Sequence, residues 1–312
     1  MADAKAESNV RKIIDDAENS HEKFTFENKR YEIIQNHKPS RETKTDFYLI
    51  ARGLDDGKER EFKISYKKLS FSFIENKIKP KRIPYIYGKN WSRILQEQTD
   101  SIRDAFNART LINFKSKKKP ITLGWRFEME INKQSGNRKL STIVQLDIAS
   151  QVFWGDNCAD EMRDAKVNGK KVSNSGIPDF ILIKDDKDIH DIQDIFDDLQ
   201  DIREYATNHS KIRASFLAQN YIWESKKNCW TTQGKKRNLA VWVNWKVDKK
   251  GKLCGVLVFD NPLVESEGVL KNFKSCLEKI MAMTSQMTLS ECHGDSAQQY
   301  RDSQKTTSFL GM

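Results

Sequence analysis

The sequence predicts an α+β fold, and three observations carry that prediction. Segments that alternate apolar and polar residues flank turn-forming residues at 46–66, 121–145 and 239–259, which is the patterning of β-hairpins. Segments at 9–19, 90–112 and 189–202 carry apolar residues at helical spacing. The 312 residues are 38% hydrophobic and 10% aromatic, enough to bury a full core as one elaborate domain or two small ones.

In chain order, Val10, Ile13, Ile14 and Ala17 fall on one helical face, and residues 24–34 continue this amino-terminal helical lead-in with mixed polarity. Residues 46–51 and 60–66 alternate around Asp55, Asp56 and Gly57, so the pair reads as a hairpin. Trp91, Ile94, Leu95, Ile102, Ala105 and Phe106 place a core-facing helix in 90–112. A basic connector at 115–120 leads to a second hairpin, 121–131 with 139–145, around Gln134, Ser135, Gly136 and Asn137. Asn168 and Gly169 favour a tight type I′ turn, and 180–183 is a short apolar strand.

From Ile189 onward, Ile192, Ile195, Leu199 and Ile202 recur between aspartates as an amphipathic helix whose acidic face would not meet a polyanion. Residues 239–245 and 252–259 form a third hairpin across Asp248 to Gly251, and 269–283 close the fold as a helix. The chain so divides into 1–119, with amino-terminal helices and the first hairpin, 120–283 as a second half, and a flexible Ser-, Thr- and Gln-rich tail at 284–312.

Lysine and arginine outnumber aspartate and glutamate 54 to 44, a formal charge of +10 that attracts polyanions at long range and favours nucleic acid as partner. Five widely spaced cysteines without a Cys-x-x-Cys pair exclude a disulfide framework and a zinc knuckle and point to a reducing compartment. The first residues lack the apolar core of a signal peptide, and no run reaches the roughly 18 apolar residues of a membrane span. A cytoplasmic protein without membrane contact is expected.

Phosphodiester hydrolysis calls for carboxylate oxygens to hold Mg²⁺ and a base or cation beside the attacking water. Asp46 opens one strand of the first hairpin and Glu61 lies on the other. In 60–66 the period of two puts Phe62, Ile64 and Tyr66 on one face and Glu61, Lys63 and Ser65 on the other, so Lys63 neighbours the Glu61 carboxylate and can activate water. The Phe62 backbone carbonyl is the third candidate metal ligand. Glu42-Thr43-Lys44, Glu75-Asn76-Lys77 and Glu224-Ser225-Lys226 repeat the Glu-x-Lys pattern, but only Glu61-Phe62-Lys63 sits in an alternating strand preceded by an aspartate-led one. A two-residue turn at Asp56-Gly57 would set Asp46 opposite Lys67, so closing the site on Glu61 requires a wider loop or a bulge, which Gly53 can provide. Pro178-Asp179 with Glu224-Ser225-Lys226 is a competing arrangement, separated by a predicted helix.

The stretch from Lys44-Thr45-Asp46 to Glu61-Phe62-Lys63-Ile64-Ser65 resembles the PD-(D/E)xK nuclease superfamily, specifically the type II restriction endonucleases, with Thr45 in place of proline. The resemblance spans about 25 residues. It implies a central mixed β-sheet flanked by helices, a restriction-endonuclease-like core with extra hairpins, and Mg²⁺-dependent site-specific cleavage of double-stranded DNA. Asp46, Glu61 and Lys63 would be catalytic, with Asp46, Glu61 and Phe62 on the metal. A further acid from an amino-terminal helix joins such sites, and Glu18 or Glu22 is placed to supply it. A homodimer and a cognate DNA methyltransferase are the expected partners.

Basic clusters supply candidate phosphate contacts: Lys79, Lys81 and Arg82; Lys117 and Lys118; Lys235, Lys236 and Arg237. The recognition half is expected within 121–260. No phosphate-binding glycine loop is present, which excludes nucleotide-driven translocation and dinucleotide chemistry. The five histidines have no metal-ligand spacing. A non-catalytic nucleic-acid-binding protein, such as a viral packaging factor, and a structure-directed repair nuclease are the rival functions.

Overall fold

The computed structural model describes residues 2–41, 43–71, 73–75, 78–131, 139–233 and 237–285, with the side chains of those between 4 and 280 except Lys139. The chain opens with helix α1 (Ala2–Ser20) and four strands, β1 (Lys23–Phe26), β2 (Lys29–His37), β3 (Phe47–Gly53) and β4 (Glu59–Lys67). Then come β5 (Phe73–Glu75), α2 (Pro84–Tyr87), α3 (Trp91–Asp100), α4 (Arg103–Asn107), β6 (Ile121–Glu130) and β7 (Lys139–Ile143). A third stretch holds α5 (Ala149–Phe153), α6 (Asp160–Arg163), β8 (Lys166–Val167), β9 (Lys170–Lys171), β10 (Phe180–Ile183), α7 (Ile192–Asp197), β11 (Leu199–Asp201) and α8 (Ile202–Asn208). The last is β12 (Arg213–Glu224), β13 (Cys229–Thr232), β14 (Asn238–Val247), β15 (Leu253–Val258), β16 (Val264–Glu265) and α9 (Ser266–Ser285).

These elements form two compact units, each built from two stretches of chain: Met1–Ile74 with Gln145–Ile212, and Glu75–Val144 with Arg213–Met312. The first unit has a mixed six-stranded sheet in the order β1-β2-β3-β4-β10-β11, antiparallel throughout except that β10 runs parallel to β4. On one face, Phe47, Leu49 and Ala51 of β3 and Phe62, Ile64 and Tyr66 of β4 meet Val10 and Ile14 of α1 and Ile192, Ile195 and Phe196 of α7 in a single core. Phe62 is its centre, with ring neighbours Phe196, Phe26, Tyr31, Phe180 and Phe24 at centroid distances of 5.0 to 6.3 Å. The second unit is built on strands in the order β13-β12-β6-β14-β15, with β7 added to β12 and β16 to β14.

This is the expected α+β architecture, a mixed sheet flanked by helices, and the first and third hairpins form as β3–β4 and β14–β15. Four expectations are corrected. Residues 24–34 are not helical: Phe24 and Phe26 alternate inward, and Glu27 and Asn28 turn the chain at φ 50° and 62°, making the β1–β2 hairpin. The helix of 90–112 is broken between α3 and α4 at Ser101 and Ile102, and that of 189–202 is interrupted by strand β11, which pairs with β10. Residues 121–145 do not pair as a hairpin, because β12 lies between β6 and β7 and bonds both; its proposed turn lies outside the described residues.

Candidate functional site

The register of the β3–β4 hairpin decides which side chains meet. Phe47 faces Ile64, Tyr48 faces Lys63 and Ile50 faces Glu61. The connection is a loop over residues 53–58, closed by Gly53 N–H donating to the Lys58 carbonyl (2.8 Å) and Gly57 N–H to the Gly53 carbonyl (2.9 Å). Asp46, one residue before Phe47, therefore lies across from Ser65, and its N–H donates to the Ile64 carbonyl at 2.9 Å. Glu61 stands four residues further along, about 13 Å at the rise of an extended strand. The structure does not bring the Asp46 and Glu61 carboxylates together. Phe62 faces Leu49, so its carbonyl also lies away from Asp46.

What surrounds Asp46 is a different set. Its Oδ2 accepts from Tyr66 N–H at 2.8 Å and from Ser65 Oγ at 3.5 Å, and lies 3.7 Å from Lys67 Nζ. Lys67 is also fixed by the Tyr66 carbonyl (3.0 Å). On α1, Arg11 donates to the Asp46 carbonyl (2.7 Å) and lies over the Phe47 ring (4.8 Å). Glu7, one turn earlier on the same helical face, is bound by Lys38. Burial holds the Asp46 carboxyl above the usual carboxylate range; Lys67 and the Tyr66 amide oppose this, and the negative charge of Glu7 reinforces it. Asp46 Oδ1 accepts no hydrogen bond among the described residues.

Glu61 and Lys63 enter a second cluster. Tyr48 donates its hydroxyl to Glu61 Oε1 at 2.5 Å, and burial together with that acceptor pushes the Tyr48 hydroxyl above its usual range. Lys63 Nζ lies 3.2 Å from Asp179 Oδ2 and 3.4 Å from the Asn174 carbonyl. Asp179 precedes β10, and its N–H donates to the Lys63 carbonyl (2.9 Å). Pro178-Asp179 is thus joined to Glu61-Phe62-Lys63; Glu224 and Lys226 belong to the other unit.

Glu18 lies in the last turn of α1 and Glu22 past its end, both beyond the turn that reaches Asp46, whereas the charge of Glu7 is felt at Asp46. Glu7 is a residue that sequence reasoning passed over, and Lys67, set opposite Asp46 by a two-residue turn, was given no role. The signal for Lys67 was available, because Ser65-Tyr66-Lys67 continues the strand pattern and hairpin geometry directs Asp46 toward it.

Of the basic residues, Lys79, Lys81, Lys117 and Lys118 are exposed, as phosphate contacts must be. Arg82 is not: its guanidinium is paired with Glu75 at 2.6 Å and largely buried. Arg237 is partly buried, with its N–H donating to Ser266 Oγ (3.3 Å), while Lys235 and Lys236 lie outside the described residues.

Among the described residues no group of three or more His, Cys, Asp or Glu side chains is arranged to hold a metal. Mg²⁺ needs fewer, since it commonly takes one or two carboxylates and completes its shell with water and phosphate oxygen. Asp46 and Glu7 carry oxygens of the kind that Mg²⁺ takes. No described helix is long and apolar enough to cross a membrane. Compared with protein families, curated proteins and solved structures, the chain matches none.

Proposed function

We propose that this chain is a magnesium-dependent, site-specific endonuclease of double-stranded DNA, a type II restriction enzyme that leaves 5′-phosphate ends. The observation that carries the reading is the meeting of Asp46 and Lys67, 3.7 Å apart at one end of the β3–β4 hairpin. The acting residues are then Asp46, Lys67 and Glu7, with Ser65 standing where the Glu-x-Lys pattern has its acid. Asp46 and Glu7 would hold Mg²⁺, which when bound polarises a phosphate and lowers the pKa of a water. Tyr66 N–H and Ser65 Oγ fix Asp46 through Oδ2 and leave Oδ1 for a ligand. Lys67, anchored by Asp46 and the Tyr66 carbonyl, is positioned to orient the attacking water or receive its proton.

The net charge of +10 and exposed Lys79, Lys81, Lys117 and Lys118 support attraction of a polyanion. Cutting both strands is most simply done by two copies, and a cognate DNA methyltransferase in the same cytoplasm would protect the host sequence. A second reading centres on Lys63, Asp179 and Glu61, favoured by the 3.2 Å approach of Lys63 to Asp179. There, however, Lys63 is only 11% exposed and Asp179 also has Arg203 at 4.0 Å, which is the pattern of a structural ion pair.

The test is incubation of purified protein with unmethylated phage-length duplex DNA. Discrete fragments are expected with Mg²⁺, and none with EDTA or with Asp46→Asn. Intact DNA with a salt-sensitive gel shift would assign a non-catalytic binding protein instead, and unspecific cutting of unrelated duplexes a repair nuclease.

A further inference from the structure

Strand β15 lies at the edge of the second unit's sheet, paired with β14 on one side. Its sequence, Leu-Cys-Gly-Val-Leu-Val, has no charge and no proline, and Val256 is 51% exposed. Edge strands are ordinarily blunted by lysine, proline, a bulge, short length or a cover, because free N–H and C=O groups template pairing with another chain. The outer strands of the first unit obey this rule. β1 has four residues, and the Gln193 amide binds both Thr25 N–H (2.7 Å) and the Thr25 carbonyl (3.0 Å); β11 has three residues and ends in Asp201. For β15, no described residue other than those of β14 bonds the backbone of its six residues.

A groove of about 340 Å³ is lined by Val256 of this strand, by Phe106, Leu111 and Phe259, and by Arg103 and Arg109. Arg103 is held over the Phe259 ring at 3.9 Å and paired with Asp100. At the other end of the strand the β14–β15 turn exposes Lys249, Lys250 and Lys252 beside an exposed Asp248, which accepts from the Lys250 and Lys252 amides (2.9 and 2.8 Å).

We propose that the β15 edge receives an extended acidic segment of another protein as an added strand, a docking function separate from the nuclease reading and independent of it. The alternating N–H and C=O groups of an edge complement a peptide backbone. A nucleic-acid backbone offers phosphate acceptors only and would leave the carbonyls unpaired. Acidic side chains complete the fit at the β14–β15 turn, where Lys249, Lys250 and Lys252 outnumber Asp248, while at the other end Arg103 and Arg109 are accompanied by Asp100 and the exposed Asp260. A second copy paired antiparallel would bring its Lys249 and Lys250 toward Arg103 and Arg109, so like charges disfavour self-association there.

The probe is a fluorescein-labelled eight-residue peptide alternating valine and glutamate, titrated with full-length protein and followed by anisotropy. Saturable, salt-sensitive binding is expected. It should weaken about tenfold or more in Val256→Lys, which puts a lysine on an exposed edge position, and in Arg103→Glu/Arg109→Glu, with unchanged circular dichroism for both. A valine–lysine peptide should not bind. No binding of the acidic peptide, equal binding of the two peptides, or indifference to Val256→Lys overturns the proposal; a dimer in sedimentation that Val256→Lys dissolves gives the edge to a second copy instead.

Discussion

The two lysines of strand β4 separate chemistry from architecture, and replacing each by alanine makes the separation measurable. Lys67 is 29% exposed and its Nζ lies 3.7 Å from a partly exposed Asp46, so the ion pair itself contributes about 0–1 kcal/mol to stability. Its loss from the site should nevertheless slow cleavage about 10²- to 10⁴-fold, the usual contribution of a positioned proton-transfer group. Lys63 is only 11% exposed and satisfies both Asp179 (3.2 Å) and the Asn174 carbonyl (3.4 Å). Removing it deletes two charge-assisted hydrogen bonds, whose worth is discounted because Asp179 is 35% exposed and still reached by Arg203 and Asn174 is exposed. A loss of about 1–2 kcal/mol lowers the melting temperature by about 2–8 °C in a domain of this size.

The assay is single-turnover cleavage of duplex DNA by saturating enzyme with Mg²⁺, beside thermal unfolding by circular dichroism. Lys67→Ala should lose rate with at most a small fall in melting temperature, because Asp46 keeps the Tyr66 N–H, and Lys63→Ala should lose melting temperature and keep its rate. If Lys63→Ala is stable and inactive while Lys67→Ala still cuts, the chemistry belongs to Glu61, Lys63 and Asp179, and the argument from hairpin register is refuted.

Three further outcomes follow from the same geometry. Because burial raises the Asp46 pKa above its unfolded value, the ionised form costs stability once pH exceeds the folded pKa, and the cost is absent below the unfolded one; Asp46→Asn should therefore resist urea better than wild type near about pH 7, with the advantage shrinking as pH falls, and equal stability at both pH values would contradict this. Phe62→Ala removes the ring at the centre of the first unit's aromatic core and should cost about 3–5 kcal/mol in urea unfolding; a loss below about 2 kcal/mol would mean that the core closes around the gap. Gly124→Ala would set a Cβ 2.4 Å from the Val241 carbonyl at φ 155°, forcing β6 and β14 apart at a cost of about 1–3 kcal/mol. All tryptophans but Trp154 belong to that second unit, so their fluorescence should report the change.

Local patterning was legible wherever one strand face meets the core. Phe62, Ile64 and Tyr66 announce β4, and Asn168-Gly169 announces the β8–β9 turn, because period-two burial and positive φ are properties of the residues themselves. What the sequence left open was long-range pairing: β10 beside β4, and β12 between β6 and β7, depend on contacts between distant segments that leave no mark on either segment alone.

The same distinction explains the displaced site. Glu61-Phe62-Lys63 satisfies a spacing rule, but proximity across a hairpin depends on the sum of paired positions, which the turn fixes. With the 53–58 loop closed by Gly53 and Lys58, Asp46 falls across from Ser65, and Lys67 takes the place at its carboxylate that spacing had given to Lys63. A displacement of four residues, like any even number, keeps every side chain on its face, so the alternation that made Lys63 plausible is equally satisfied by Lys67. Face can therefore be read from alternation alone, while the partner across the hairpin needs the loop, and in a charge-rich chain with several Glu-x-Lys triplets the loop is the more discriminating signal.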